Sequence, residues 1–317
     1  MSGPWARFGA ILAAGLSALN LTGAFVLPAG AAQARSLGVR AVGEGARLTY
    51  TVPDFLVTQE LMDGGGPVSQ AFTDTAGKSV SFASLPYPGE NGIAAPGLLA
   101  VLLGRAVPFG YPLYANADYP ATPGSEVKDP FGAYDLRAKA DMSSAESTGA
   151  LGSPAGGPPG SHTRTAAATT VSRDGSARAT AEAVSTALSF GDGVLTIAAV
   201  ISRSVTILTA DGAAPRTVTE LVIQGAAVAG QAVSIGPDGI HPAGSRAIPL
   251  ADNAANAGLA GVLAAAGLSA RTVSSADGGG DVLVITSTHP LPGSGAQGTL
   301  VWRFGGARTA IDTGTGS

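Results

Sequence analysis

Apolar and polar residues alternate over long stretches of this chain. Between residues 194 and 209, VLTIAAVISRSVTILT, the residues Leu195, Ile197, Ala199, Ile201, Val205 and Ile207 share one side, with Thr196, Ser202, Ser204 and Thr206 on the other. A period of two predicts a half-buried strand, and Arg203 is its one exception. The stretch before it alternates in the same way, with Ala177, Ala179, Ala181 and Ala183 opposed to Arg178, Thr180, Glu182 and Thr186. Asp174-Gly175 and Asp211-Gly212 each open such a run, and Asp-Gly is a strong hairpin signal. The runs close alike, GVLTI at 193–197 and QAVSI at 231–235, so the region reads as a weak internal repeat of two long strand units.

Elsewhere the pattern is less regular. Residues 37–60 predict one or two strands, with Leu48, Tyr50 and Val52 alternating against Arg47, Thr49 and Thr51. Residues 61–130 are rich in X-Pro pairs (Tyr87-Pro88, Val107-Pro108, Tyr111-Pro112, Tyr119-Pro120), which favour extended loops, so this part is expected to wrap over the core. Residues 133–149 predict another strand, and GSPAGGPPG at 152–160 a loop or linker. Leu250 to Ala266 breaks the period: Asp252 is a plausible cap, Ala255, Leu259, Val262, Leu263 and Ala266 fall at helical spacing, and Gly267 is a stop. Strands are expected again at 281–288 and 299–304. The fold class is therefore mainly β, with long antiparallel strands in a curved or elongated sheet and one packed Ala-rich helix at about 250–266. A β-sandwich and a β-solenoid are the alternatives.

The amino terminus reads as an export signal. Arg7 and the free amine precede an uncharged apolar run, residues 8–27, and Ala32-Gln33-Ala34 supplies a small-x-small exit with the cut expected before Arg35. An uncleaved anchor is the competing reading, because about 20 apolar residues also span a bilayer. The apolar run Ile93 to Gly104, interrupted by Pro96, is too short to do so and reads as a buried element. The organisation expected is a signal over 1–34, one β-rich domain over 35–312, and a disordered tail over 313–317. Within the domain, 35–130 is the loop-rich wrapping part and 131–312 the long-strand core with the helix.

Composition narrows the chemistry. Of the residues 13% are charged and 5% aromatic, against 46 Gly and 21 Pro, which suits strands and turns, and a hydrophobic fraction of 45% argues against disorder. The 18 Lys and Arg against 22 Asp and Glu give −4, and removing Arg7 with the signal leaves −5. The basic residues are scattered singly, so no basic face is expected and nucleic acid is not an expected partner. The absence of cysteine excludes disulfides, thiol nucleophiles and thiolate metal sites.

Several segments together carry a resemblance: SLPYPGENGIAAPGLLAVLL (84–103), NADYPATPGS (116–125), VAGQAVSIGPDGI (228–240), LAAAGLSARTV (263–273) and THPLPGSGAQGTLVWRFGGA (288–307). In this order they resemble a group of exported proteins of high-GC Gram-positive bacteria that has no assigned biochemical function. The resemblance implies export. Relatives often carry a carboxy-terminal membrane or wall-sorting tail, from which the TGTGS ending departs, and no functional residues carry over.

No motif demands chemistry. Gly293 to Gly298, GSGAQG, matches a dinucleotide fingerprint but precedes a strand, so it is expected to be a hairpin loop and not a cofactor site. His162, His241 and His289 stand far apart, and two of them precede Pro. Asp54, Glu60 and Asp63, like Asp277 and Asp281, lie on or beside expected loops without calcium-loop spacing. No catalytic residue, metal ligand or cofactor is therefore assigned. The expectation is a non-enzymatic secreted or cell-envelope-associated protein with a structural or interaction role. A carrier of an apolar or lipid-like ligand between sheet and helix is the alternative, and a hydrolase comes third.

Overall fold

A computed structural model describes residues 36–53, 59–85, 104, 113–152, 161–243, 254–275, 279–291 and 295–314. The expected export signal and its exit residues Ala32, Ala34 and Arg35 lie outside these residues, as do residues 93–103 of the apolar run and Asp252.

The chain builds two antiparallel sheets. The first begins with β1 (Ser36–Thr51), β2 (Glu60–Gly65), β3 (Val68–Asp74), β4 (Ser79–Ser84) and β5 (Tyr114–Tyr119). A nine-stranded meander follows: β6 (Gly124–Lys128), β7 (Tyr134–Ala140), β8 (Ser144–Leu151), β9 (His162–Val171), β10 (Ala177–Phe190), β11 (Leu195–Leu208), β12 (Arg216–Val228), β13 (Gln231–Gly236) and β14 (Gly239–Pro242). After the helix α1 (Ala254–Ala265) the chain returns to the first sheet through β15 (Leu268–Ser274), β16 (Asp281–Pro290) and β17 (Gln297–Gly314). The order there is β15-β16-β17-β1-β3-β4-β5, with β2 paired to β1 alone. Its middle is the pairing of the first strand with the last, from Ser36 opposite Gly314 to Thr51 opposite Thr299.

The sheets pack face to face: β1 lies over β9 and β10, β17 over β10 and β11, β3 over β8 and β9. Mainly β with one short helix is the class expected, and the arrangement is the sandwich. The helix packs on β12, β14 and β15 at one end. At the other, β5 passes into β6 through a turn in which Asp118 and Thr122 exchange backbone hydrogen bonds of 2.7 and 2.6 Å.

Several expectations change. Residues 36–128 do not merely wrap the core, since six strands arise there and β1 is central. Their Ala-, Ser- and Thr-rich inner faces pack well but give no long apolar run to read. β8 and β9, on either side of the expected loop or linker, are paired neighbours in one sheet, while residues 153–160 themselves lie outside the described residues. Thr313 and Gly314 are no tail, as they still pair with Leu37 and Ser36.

The largest change concerns β11. Leu195 and Ile197 are buried as expected, but beyond them it is Val200, Ser202, Ser204 and Thr206 that are buried, while Ile207 is 44% exposed. Ala198 has no partner in the ladders on either side, nor do Ala187 on β10 and Gly225 on β12. The register is the same on both sides of this row, so no strand carries an extra residue; an unpaired position at one level in all three strands reverses the facing of everything after it. A comparable irregularity crosses the first sheet, where Gly45 and Gly305 are skipped in the pairing of β1 with β17.

These kinks separate two kinds of interior. On the helix side the core is made of large side chains, among them Phe190, Leu195, Ile197, Leu259, Leu263, Leu283, Ile285 and Phe304. On the other side it is made of small ones: Ala41, Ala71, Ala145, Ala167, Ala179 and Ala181 around Val39 and Leu37. Small side chains let the two backbones approach, a methyl group placed on Gly43 standing 2.6 Å from the Glu182 carbonyl oxygen, and hydroxyls bridge the sheets. Ser69 bonds to Thr165 at 2.7 Å, Thr73 to Thr169 at 2.8 Å and Ser204 to Thr309 at 2.7 Å, while Ser202 donates to the Gly305 carbonyl at 2.8 Å. Burying a hydroxyl is costly unless it is paired, and these are paired.

Candidate functional site

The residues singled out by sequence do not converge. His162 donates to the Gly152 carbonyl at 2.9 Å, His289 stacks on Tyr50 and shares a 3.3 Å hydrogen bond with its hydroxyl, and His241 donates to Asp238 at 2.8 Å across a hairpin turn. Hydrogen bonding from His241 holds the Asp238 carboxyl below its usual range. Among the described residues no three metal-ligating side chains cluster. Asp174 and Asp211 cap their hairpins, Asp174 accepting from the Ser176 amide at 2.9 Å and Asp211 from the Ala213 amide at 3.1 Å. Asp281 accepts from Ser274 at 2.7 Å, while Asp54 and Asp277 lie outside the described residues. Of the segment GSGAQG, Gly293 and Ser294 lie outside the described residues; Leu291 donates to Ala296 at 2.8 Å, Gln297 and Gly298 open β17, and among the described residues no helix follows. On α1, Leu259 and Leu263 are buried, but Val262 is 39% exposed. It therefore lies beside the core and not at its centre.

What the sequence hides is a row of arginines. Across four neighbouring strands Arg271 stands opposite Val284, Val284 opposite Arg303, and Arg303 opposite Arg47. Directly opposed like charges are unfavourable in a sheet. Asp63 on β2 relieves one of them: Arg47 donates to it with two nitrogens, Nε at 2.8 Å, and Thr49 adds a longer bond. That pairing with Arg47 pulls the Asp63 carboxyl below its ordinary range, more than burial raises it, and the field of Arg303 adds to the effect.

Around this row the sheet opens. β16 accompanies β17 only as far as Leu283 opposite Phe304; beyond that point β15 and β16 depart while β17 continues along β1. The fork leaves a cleft of about 440 Å³ lined by Arg47, Arg271, Arg303 and Arg308, with Glu44 the one acidic side chain among the described lining residues. The skipped pair Gly45 and Gly305 places Glu44 and Arg47 on one face although they are three apart, and Glu44 lies 3.8 Å from both Arg47 and Arg308. Val273, Val282 and Val284 form the apolar part of the wall.

Neither Arg271 nor Arg303 has a side-chain acceptor among the described residues. On the second sheet several arginines are paired. There Arg164 meets Glu182 at 3.1 Å, Arg203 meets Glu182 at 2.9 Å and Glu220 at 3.8 Å, and Arg137 meets Asp135 at 2.7 Å. Within the cleft, Arg271 and Arg303 are thus two guanidiniums on one face with no ion pair among the described residues. No protein-family model matches this chain, and neither does any curated protein or solved structure. Among the described residues no helix is long and apolar enough to cross a membrane.

Sequence reading missed the cleft because Arg47, Arg271, Arg303 and Arg308 are separated by up to 261 positions. Their outward facing is visible in alternations such as Ala270-Arg271 and Ala307-Arg308. The register that aligns them is set by pairing the first strand with the last, which no local period encodes.

Proposed function

We propose that this chain is a non-enzymatic protein of the cell exterior or envelope that works by contact, in an interaction or structural role, through the arginine cleft. The observation that carries this reading is a packed interior beneath a cleft whose described lining holds four arginines and one glutamate. Hydroxyls bridge the sheets in one half, and in the other Leu259 and Leu263 of the helix join the large-residue core with Ile240 on β14 and Leu268 on β15. Such packing supports a rigid scaffold whose chemistry lies on its outer surface, rather than carriage of an apolar ligand. The three His side chains, each held by a separate partner, favour contact over hydrolysis. The export pattern of residues 1–34 supports the location.

Native mass spectrometry of protein purified from the culture medium tests this reading. The expected mass is that of a chain beginning at Arg35 with no lipid attached. A stoichiometric lipid adduct would replace the contact role with carriage, and a chain retaining Met1 would replace release with anchoring.

A further inference from the structure

We infer that the arginine cleft is a binding site for a ligand with two oxyanion heads, carboxylate or phosphate, joined by a mainly apolar spacer. This rests on the contact role proposed above and adds the ligand class. The register puts Arg271 and Arg303 on the same face with one strand between them, two strand spacings or about 9–10 Å apart at the backbone. Each guanidinium presents a planar fork suited to a carboxylate or phosphate, and neither has a side-chain acceptor among the described residues. Arg47 is already held by Asp63, so the two unmatched positions are the outer ones of the row β15–β17. Between them stands Val284, flanked by the cross-strand pair Val273 and Val282, which is a surface for hydrocarbon and not for a third charge.

The size of the cleft agrees. A single small anion would occupy a fraction of about 440 Å³, a volume of the order that accommodates a small organic ligand. A ligand that binds the folded protein and not the unfolded chain stabilises it, so binding and stability are linked.

The test is calorimetric titration of the mature protein with two-headed probes, suberate and hexanediol bisphosphate, and with their single-headed counterparts, octanoate and hexyl phosphate. At low salt a two-headed probe should bind at least about tenfold more tightly than its counterpart, the added head supplying a second charge-assisted contact. The preferred pair identifies the head as carboxylate or phosphate. Arg271→Gln and Arg303→Gln should each abolish the two-headed advantage, while Arg178→Gln, an exposed arginine on the other sheet, should leave it intact. Arg303→Gln, at an exposed position, should melt within a few degrees of the wild type, so lost binding cannot be ascribed to unfolding. Equal affinity for one-headed and two-headed probes, or unchanged binding in both cleft variants, would overturn the inference. That result, with the protein still lipid-free, would remove the ligand class and leave the contact role standing.

Discussion

The hydroxyls of Ser69 on β3 and Thr165 on β9 meet at 2.7 Å across the two sheets, both buried, Ser69 fully so. Removing the Thr165 hydroxyl takes this partner from Ser69, whereas removing that of Ser69 leaves Thr165 only a longer bond of 3.5 Å to the Gly149 carbonyl. Ser69→Ala and Thr165→Val should each cost about 1–3 kcal/mol. The double variant should cost less than their sum, because no orphaned hydroxyl of the pair remains. Urea denaturation of the four proteins measures the coupling, and strict additivity would show that the hydroxyls do not act as a pair.

Close approach of the sheets has a sharper consequence at Gly43. A methyl group there would stand 2.6 Å from the Glu182 carbonyl oxygen and 2.9 Å from that of Ala166, both backbone atoms of the facing sheet. Neither can turn aside as a side chain would. Gly43→Ala should therefore destabilise by about 3 kcal/mol. Gly38→Ala, five residues earlier on the same strand, meets nothing nearer than 3.7 Å and should change stability by less than about 1 kcal/mol. Thermal melting separates the two outcomes.

Gly43 also marks where the sequence ceases to be legible. The strand character of β10 and β11, the Asp-Gly hairpins and a helix within 250–266 follow from local periodicity and turn chemistry. The burial of Ser202, Ser204 and Thr206 does not, because it depends on the irregularity at Ala198 that reverses the facing of β11. A rule that sends apolar residues inward then puts Val205 and Ile207 on the wrong side. Nor was the role of β1 and β3 visible, since a core of Ala, Ser and Gly lacks the apolar contrast that periodicity detects. The cleft was least legible of all. Arg47 and Arg303 become neighbours only through the pairing of β1 with β17.

The link between Asp63 and Arg47 should be visible in acid. Asp63 is held below its ordinary value of 3.8 in the folded protein, chiefly by the Arg47 hydrogen bond. A lowered folded value means the stabilisation is present above the unfolded value and disappears as pH falls through the folded one. Arg47 remains 43% exposed, so solvent screening limits the effect to about 1 kcal/mol. Asp63→Asn should thus be less stable than the wild type at pH 7, with the gap closing below about pH 4. A gap that is constant with pH would contradict the pairing.

The filled interior under α1 is the claim on which contact rather than carriage depends. Leu263 is 6% exposed and packed in the large-residue core, whereas its neighbour Val262 is 39% exposed. In a solid core Leu263→Ala costs the lost burial plus the cavity left behind, about 2–5 kcal/mol. Above an open chamber the same change would be mild, since the space already exists. Chemical denaturation of Leu263→Ala beside Val262→Ala decides the matter. A loss of about 2–5 kcal/mol for Leu263→Ala and under about 1 kcal/mol for Val262→Ala is the expected result; small and equal losses would contradict the account.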